Sequence, residues 1–254
     1  MDPAVPVRRA RAADGQGRAA DAAAALRRGA RVRRVVVTGG KRGIGAAISA
    51  AFAGDEVLAL GSADMDVTDE AAVASVLGEL EVDVLVNNAG VSSSAPVHRT
   101  TLEEWERQLR VNATGAFLCS RAVLPGMRER DRGRIVTVAS VASVHGSRYT
   151  SGYTASKHAV LGFTRALASE VAGTGVTANC VCPAYVRSGM TDTTIANIEA
   201  RTGKDGEAAL TAMTPLGRLI EPEEVAFAVR FFAADEAGAI NGQSLLIDGG
   251  GVHG

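Results

Sequence analysis

The chain has 254 residues, a net charge of −1, and 46% hydrophobic residues of which few are aromatic. So even a charge balance supplies no general attraction for nucleic acid or an anionic membrane, and no uninterrupted apolar run approaches the roughly 18 to 20 residues that span a bilayer. The three cysteines, Cys119, Cys180 and Cys182, are odd in number and lack metal-ligand spacing, which argues against a disulfide scaffold and for a reducing, cytoplasmic compartment.

Residues 1–33 are rich in Ala and Arg and lack a regular apolar stripe. Arg8-Arg9 invites a secretion reading, but Asp14, Arg18 and Asp21 interrupt the apolar segment a signal peptide needs. The segment is expected to be a disordered extension, or to follow from a start placed too far upstream, and it receives no catalytic role.

The fold is expected over residues 34–254. Arg34 to Thr38 reads as a buried strand that runs into Gly39-Gly40-Lys41-Arg42-Gly43-Ile44-Gly45 and then a helical run from Ala46 to Ala53. Strand, glycine-rich turn and helix N-terminus together bind a pyrophosphate: the glycines let the backbone approach, and free N–H groups face the anion. Glu56 to Leu60 reads as a second strand, and Asp66-Val67-Thr68-Asp69 as the end of a third followed by a helix cap. Only Gly61 to Met65 separate them, whereas a parallel crossover needs about a dozen residues or more. Either the intervening helix is deleted or the third strand is vestigial, and both give a reduced edge to the sheet.

A helix over Ala71 to Glu79 precedes a fourth strand, Val82 to Val86, which ends in Asn87-Asn88-Ala89-Gly90. Leu102 to Arg128 reads as one long helix with Asn112 near its middle, a position that disfavours asparagine unless its amide binds something. The fifth strand, Arg134 to Val138, delivers Ser140 just past its end. A helix carrying Tyr153 continues to about Ala172, and the sixth strand, Val176 to Val181, is closed by Pro183. Residues 184–215 read as a polar, mobile excursion with a helical portion. Glu221 to Ala234 forms the last helix, with Pro222 in its first turn, and Ser244 to Ile247 the last strand. Strand and helix alternate throughout, which predicts a single α/β domain with a doubly wound parallel sheet and a ligand crevice at the carboxyl ends of the strands.

Within Ser151-Gly152-Tyr153-Thr154-Ala155-Ser156-Lys157, a helix puts Tyr153 and Lys157 on one face, one turn apart. A free phenol titrates near ~10; a nearby ammonium favours the phenolate and lowers that value toward the range useful to a general acid/base. Neither Tyr149 nor Tyr185 has a cation at this spacing.

These residues add up to a pattern. From about residue 33 onward the chain resembles the short-chain dehydrogenase/reductase family, through Thr38-Gly39-x-x-x-Gly43-x-Gly45, Asp66-Val67, Asn87-Asn88-Ala89-Gly90, Asn112, Ser140, Tyr153, Lys157, the Pro183 segment and the Ile240 to Gly250 ending. The resemblance implies a Rossmann-type domain with a shortened connection after the second strand, NAD(P)-dependent alcohol/carbonyl chemistry, and a homo-oligomer, tetramer or dimer. It implies that Tyr153 protonates the carbonyl oxygen, Ser140 hydrogen-bonds it, Lys157 binds the nicotinamide ribose, and Asn112 holds a water in the relay. For the cofactor it implies Gly39, Lys41, Arg42, Gly43, Ile44 and Gly45 around the pyrophosphate and Ser62, Asp66 and Val67 on the adenosine side. Asn88, Ala89 and Gly90 would lie at the ribose, and Pro183, Val186 and Ser188 at the nicotinamide. Ala184 departs from the family's usual glycine after Pro183.

Gly61 and Ser62, rather than an acid, end the second strand, and Arg42 offers a guanidinium to a 2′-phosphate. NADP is therefore favoured over NAD, with Asp64 the residue that could reverse the preference. The stretch Cys182 to Glu224 resembles reductases of 3-oxoacyl thioesters and polyketides, so the expected substrate is a small-molecule or carrier-bound ketone. Arg187 or Arg201 would meet a phosphate-bearing carrier, unless both are solvated surface. Dehydrogenation of another secondary alcohol, or a non-catalytic dinucleotide sensor, are the rival readings. His145, in the loop between Ser140 and Tyr153, is within reach of a substrate but reads as an exposed loop residue; His98, His158 and His253 show no ligand geometry, and no metal site is expected.

Overall fold

The computed structural model of the protein describes residues 31–252. The segment read as an N-terminal extension lies almost wholly outside the described residues. Arg33, at its end, belongs with the fold: its guanidinium pairs with Asp55 at 2.7 Å and donates to the Ala233 carbonyl.

Six parallel strands form one sheet in the order β2-β1-β3-β4-β5-β6. These are β1 (Arg34–Thr38), β2 (Glu56–Leu60), β3 (Val84–Asn87), β4 (Gly133–Val138), β5 (Val176–Pro183) and β6 (Ser244–Ile247). The helices are α1 (Gly43–Ala51), α2 (Glu70–Leu77), α3 (Leu102–Leu109), α4 (Gly115–Glu129), α5 (Ser151–Glu170), α6 (Gly189–Thr202), α7 (Gly206–Thr211) and α8 (Pro222–Ala233).

The strands read as near-continuous apolar runs because both faces of the sheet are covered. Side chains alternate across it: Val35, Val37 and Val136 pack with Ile48 of α1, with Phe52 just beyond it, and with Val225 and Val229 of α8. Val36, Leu85 and Ile135 pack with Val123, Met127 and Leu167 from α4 and α5 on the other face. The chain steps from β1 out to β2, then crosses to β3 on the far side of β1. That reversal opens a crevice at the carboxyl ends of β1 and β3, the position where doubly wound sheets bind ligands.

Two sequence expectations are corrected. Asp66 to Asp69 forms no strand, so β2 is the edge and the sheet ends there. Five residues cannot carry the chain back along the sheet, and the segment closes in turns instead. Asp66 Oδ1 accepts from the Thr68 N–H at 2.9 Å, and Asp69 caps α2 by accepting from Ala71 and Ala72. The long helix expected over Leu102 to Arg128 is interrupted by a π-helical turn at Arg110–Thr114, with Asn112 at its centre. Such turns insert a residue into the helical ladder and are frequent at functional sites. The excursion after Pro183 contains two helices, α6 and α7.

Candidate active site

The glycine turn is held open from two sides. Gly39 adopts φ +64°, a left-handed conformation that costs glycine nothing, and a Cβ at Gly45 would collide with the Gly39 carbonyl. Asn88 staples the turn: its Nδ2 donates to the Thr38 carbonyl at 2.9 Å and to that of Gly39 at 3.2 Å. The Thr38 hydroxyl accepts in return from the N–H groups of Asn88 and Ala89. The Asn88 amide is thus committed to the turn itself. Arg42 precedes α1 in extended conformation with its side chain exposed, and Ile44 packs on the core. The cradle that a side chain at Gly45 would fill, together with the free N–H groups opening α1, fits a pyrophosphate.

Beside this turn, Asp64 accepts from the Gly61 N–H at 2.7 Å and from Lys41 Nζ at 2.7 Å. Lys41 holds the Asp64 carboxyl below its ordinary value, with the Gly61 N–H helping. The acid that could have opposed a 2′-phosphate is therefore already paired, while Ser62 stands exposed in the same turn. Val67 is buried, and Gly115 lets α4 come close to it, since a Cβ there would stand 2.7 Å from Val67 Cγ2.

Ser140 follows β4 and starts a short 3₁₀ turn. Its Oγ accepts from the Ala142 N–H at 3.1 Å, while its own N–H donates to Ser143 Oγ at 3.2 Å. Tyr153 and Lys157 rise from α5 beside it. Lys157 is 5% exposed, and its Nζ donates to the Val138 carbonyl at 2.9 Å and lies 5.7 Å from the centre of the Tyr153 ring. Burial pulls Lys157 down to about 8. The expected lowering of the phenol is not found. Tyr153 retains some solvent contact, yet the protein packed around it pushes its pKa up; Ser140 opposes this and Tyr185 adds to it. The spacing fixed the face shared by the two residues but not where the flexible lysine tip points.

Asn112 ties three elements together. Its Oδ1 accepts from the Val91 N–H at 2.8 Å, and its Nδ2 donates to the Val91 carbonyl and to Ser156 Oγ, each at 2.9 Å. A Cβ on Gly90 would stand 3.3 Å from Asn112 Oδ1 and 3.7 Å from Lys157 Nζ, so the Asn88-Ala89-Gly90 segment passes directly by the lysine.

On the far bank, β5 ends at Pro183, whose carbonyl lies 3.5 Å from Ser140 Oγ. Val186 is buried and bridges to Ile220, and its carbonyl accepts from the Ser188 and Thr191 hydroxyls. A Cβ at Gly43 would stand 3.6 Å from Ser188 Cβ, which brings this segment across to the glycine turn. Arg187 pairs with both Glu207 and Glu221 at 3.2 Å, so its charge is engaged. Arg201 is exposed on α6.

Sequence reasoning missed Gln108. This amide is 1% exposed, accepts from the Ser93 N–H at 3.2 Å and donates to Ser93 Oγ at 3.0 Å. A polar residue on an otherwise ordinary amphipathic helix gave no signal of it. Ser156, which holds Asn112, was equally silent, whereas Ser143, set aside for its spacing to Tyr153, accepts from the Ser140 N–H. Among the described residues, no group of His, Cys, Asp or Glu could hold a metal ion, and no helix is long and apolar enough to cross a membrane.

A family model described as enoyl-(acyl carrier protein) reductase matches residues 12–252. The chain belongs to the short-chain dehydrogenase/reductase family. The acetoacetyl-CoA reductase of Shinella zoogloeoides is 36% identical over 242 residues, covering 86% of this chain and 98% of that protein. The 3-oxoacyl-[acyl-carrier-protein] reductase of Escherichia coli is 35% identical over 240 residues, covering 85% and 95%. The solved structure of a single-residue variant of the actinorhodin polyketide ketoreductase with NADPH superposes with a TM-score of 0.80 at 32% identity, covering 88% of this chain and 98% of that one. The protein is accordingly an NAD(P)-dependent oxidoreductase of this family with the doubly wound fold read from its sequence.

Proposed function

We propose that this dehydrogenase/reductase uses NADPH to reduce a ketone, that of a 3-oxoacyl thioester or a related polyketide, to the alcohol. The observation that carries this reading is the convergence of Ser140, Tyr153 and Lys157 at the carboxyl end of β4, beside a segment that leads back to the glycine turn. When bound, the nicotinamide supplies the hydride. The chain supplies position and a proton. Ser140 Oγ and the Tyr153 hydroxyl bind the carbonyl oxygen, and the phenol, kept protonated by its surroundings, gives its proton to the oxygen as negative charge develops there. Lys157 is charged below about 8, and stabilises the tyrosinate that results while engaging the ribose hydroxyls.

The π-helical turn at Asn112 disrupts the helical ladder, which suits a backbone carbonyl holding a relay water near Lys157. Gly39, Lys41, Arg42, Gly43, Ile44 and Gly45 form the pyrophosphate cradle, with Ser62, Asp66, Val67, Asn88, Ala89 and Gly90 along the adenosine half. Pro183, Val186 and Ser188 flank the nicotinamide. NADP is preferred to NAD because Arg42 is exposed beside the turn and Asp64 is neutralised by Lys41. Relatives that reduce acetoacetyl-CoA and 3-oxoacyl-carrier esters support the substrate class. Pairing of Arg187 with two acids makes a carrier-phosphate role for it unfavourable and leaves Arg201 as the candidate.

A cytoplasmic homo-oligomer, dimer or tetramer, fits the exposed Phe117, Phe227 and Phe231 on α4 and α8. Residues 1–33 are assigned no part in the chemistry. Oxidation of NADPH and NADH, followed across a panel of 3-oxoacyl thioesters, cyclic ketones, sugars and steroids, tests the reading. Turnover of a 3-oxo compound with NADPH preferred supports it; a clear NADH preference, or activity on sugars alone, contradicts it.

A further inference from the structure

Only two residues other than glycine have positive φ among the described residues, Asp131 (φ 47°) and Tyr149 (φ 67°). Asp131 has a local reason, since its side chain accepts from the Gly175 N–H at 2.6 Å, and aspartate tolerates the left-handed region. Tyr149 has none of this kind. A bulky side chain is a genuine outlier there, and such outliers cluster at ligand-binding sites.

The backbone conformation has a clear use. The Tyr149 carbonyl accepts from the Ala95 N–H at 2.8 Å and so joins the loop between Ser140 and α5 to the segment after Gly90. That segment passes Lys157 and is anchored at Ser93 by Gln108. Glycine would deliver the same carbonyl without steric penalty. The backbone therefore accounts for the conformation but not for the phenol ring carried on it. Tyr149 is 54% exposed and, among the described residues, its side chain makes no hydrogen bond or aromatic contact.

It lies four residues before Tyr153, on the loop that joins Ser140 to α5. Val144 on the same loop is 41% exposed, and Met190, at the start of α6, is 42% exposed. Because β4 and β5 are neighbours, the loops bearing these residues leave the same edge of the sheet. The loops that leave this end of the sheet thus carry an exposed aromatic side chain and exposed apolar ones, side chains that suit a flat, ring-bearing molecule.

We propose that Tyr149 is a specificity-determining residue that stacks on the ring of a cyclic ketone and so selects ring-bearing substrates over short linear acyl thioesters. This inference rests on the ketone-reduction reading given above and narrows its substrate class.

The test compares wild-type enzyme with Tyr149→Phe and Tyr149→Gly, using NADPH with 2-tetralone and with an acetoacetyl thioester. Wild type is expected to have the higher kcat/KM for the bicyclic ketone. In Tyr149→Gly the ratio of the two kcat/KM values should fall by about five- to tenfold, mostly through KM for the bicyclic ketone. Tyr149→Phe, which retains the ring, should keep the ratio. The melting temperature of Tyr149→Gly should not fall, which separates loss of the ring from loss of the fold. An unchanged ratio in Tyr149→Gly, or a wild type that prefers the linear thioester, overturns the proposal while leaving ketone reduction standing. Binding of NADPH with no turnover of either ketone overturns both.

Discussion

Lys157 holds its buried ammonium against the Val138 carbonyl and 5.7 Å from the centre of the Tyr153 ring, so the two residues share a face without an ion pair between them. The lysine carries a penalty for its burial, seen in a value near 8 against 10.5 for the free side chain. Between those values the unfolded chain binds a proton that the folded protein does not, so stability rises with pH across that window. Below about 8 the penalty is fully present, and above about 10.5 it is gone. Compared with a Lys157→Met variant, wild type should gain about 3 kcal/mol between the two limits. Urea unfolding of both proteins at pH 7 and at pH 10 or above measures this. Parallel pH dependences would contradict it.

The glycine turn gives a steric prediction. Gly45→Ala places a methyl group against the Gly39 carbonyl and the Asn88 amide. Either the turn opens or α1 shifts, and both spoil the cradle. NADPH binding, followed by nucleotide fluorescence, should be lost or weakened by about a hundredfold, with the circular dichroism of the sheet retained. Wild-type affinity in the variant would show that the turn does not carry the pyrophosphate.

Asp64 offers an electrostatic test. Replacing it with asparagine removes the partner of Lys41 and leaves that ammonium beside the adenosine end of the site. The ratio of NADH to NADPH dissociation constants should rise by about three- to tenfold at low salt and shrink at high salt, as expected for exposed charges. A ratio that is unmoved at low salt would place the 2′-phosphate away from this pair.

The strand-turn-helix entry, the parallel sheet and the face shared by Tyr153 and Lys157 were legible because each depends on residue type at short, fixed spacing. What was not legible depends on three-dimensional partners. The lysine tip turned to Val138, and the phenol rose rather than fell, because burial outweighs a neighbour whose position the spacing does not set. Asn112 signalled that a helix interior was unusual, yet not that a π-helical turn would form around it. The third strand failed because the short Gly61–Met65 link leaves the chain nowhere to go but into turns. The Lys41–Asp64 pair joins residues 23 apart in sequence, and nothing local announces it.

Gln108 is the clearest residue that only the fold reveals. Gln108→Leu keeps the volume but strands the Ser93 N–H and hydroxyl in a part-buried position. A loss of about 1–3 kcal/mol in stability is expected, together with a raised KM for ketone, since the segment after Gly90 loses its anchor. Thermal unfolding and steady-state kinetics check the two effects. A variant unchanged in both would remove Gln108 from the account.

The central claim is that the Tyr153 hydroxyl donates the proton that accompanies hydride transfer. The direct measurement is single-turnover oxidation of bound NADPH by an acetoacetyl thioester in wild type and in Tyr153→Phe, with the NADPH dissociation constant measured alongside. The account predicts that the phenylalanine enzyme binds NADPH within about threefold of wild type and reacts about 10²–10⁴ times more slowly. Reaction at the wild-type rate without the hydroxyl would contradict it.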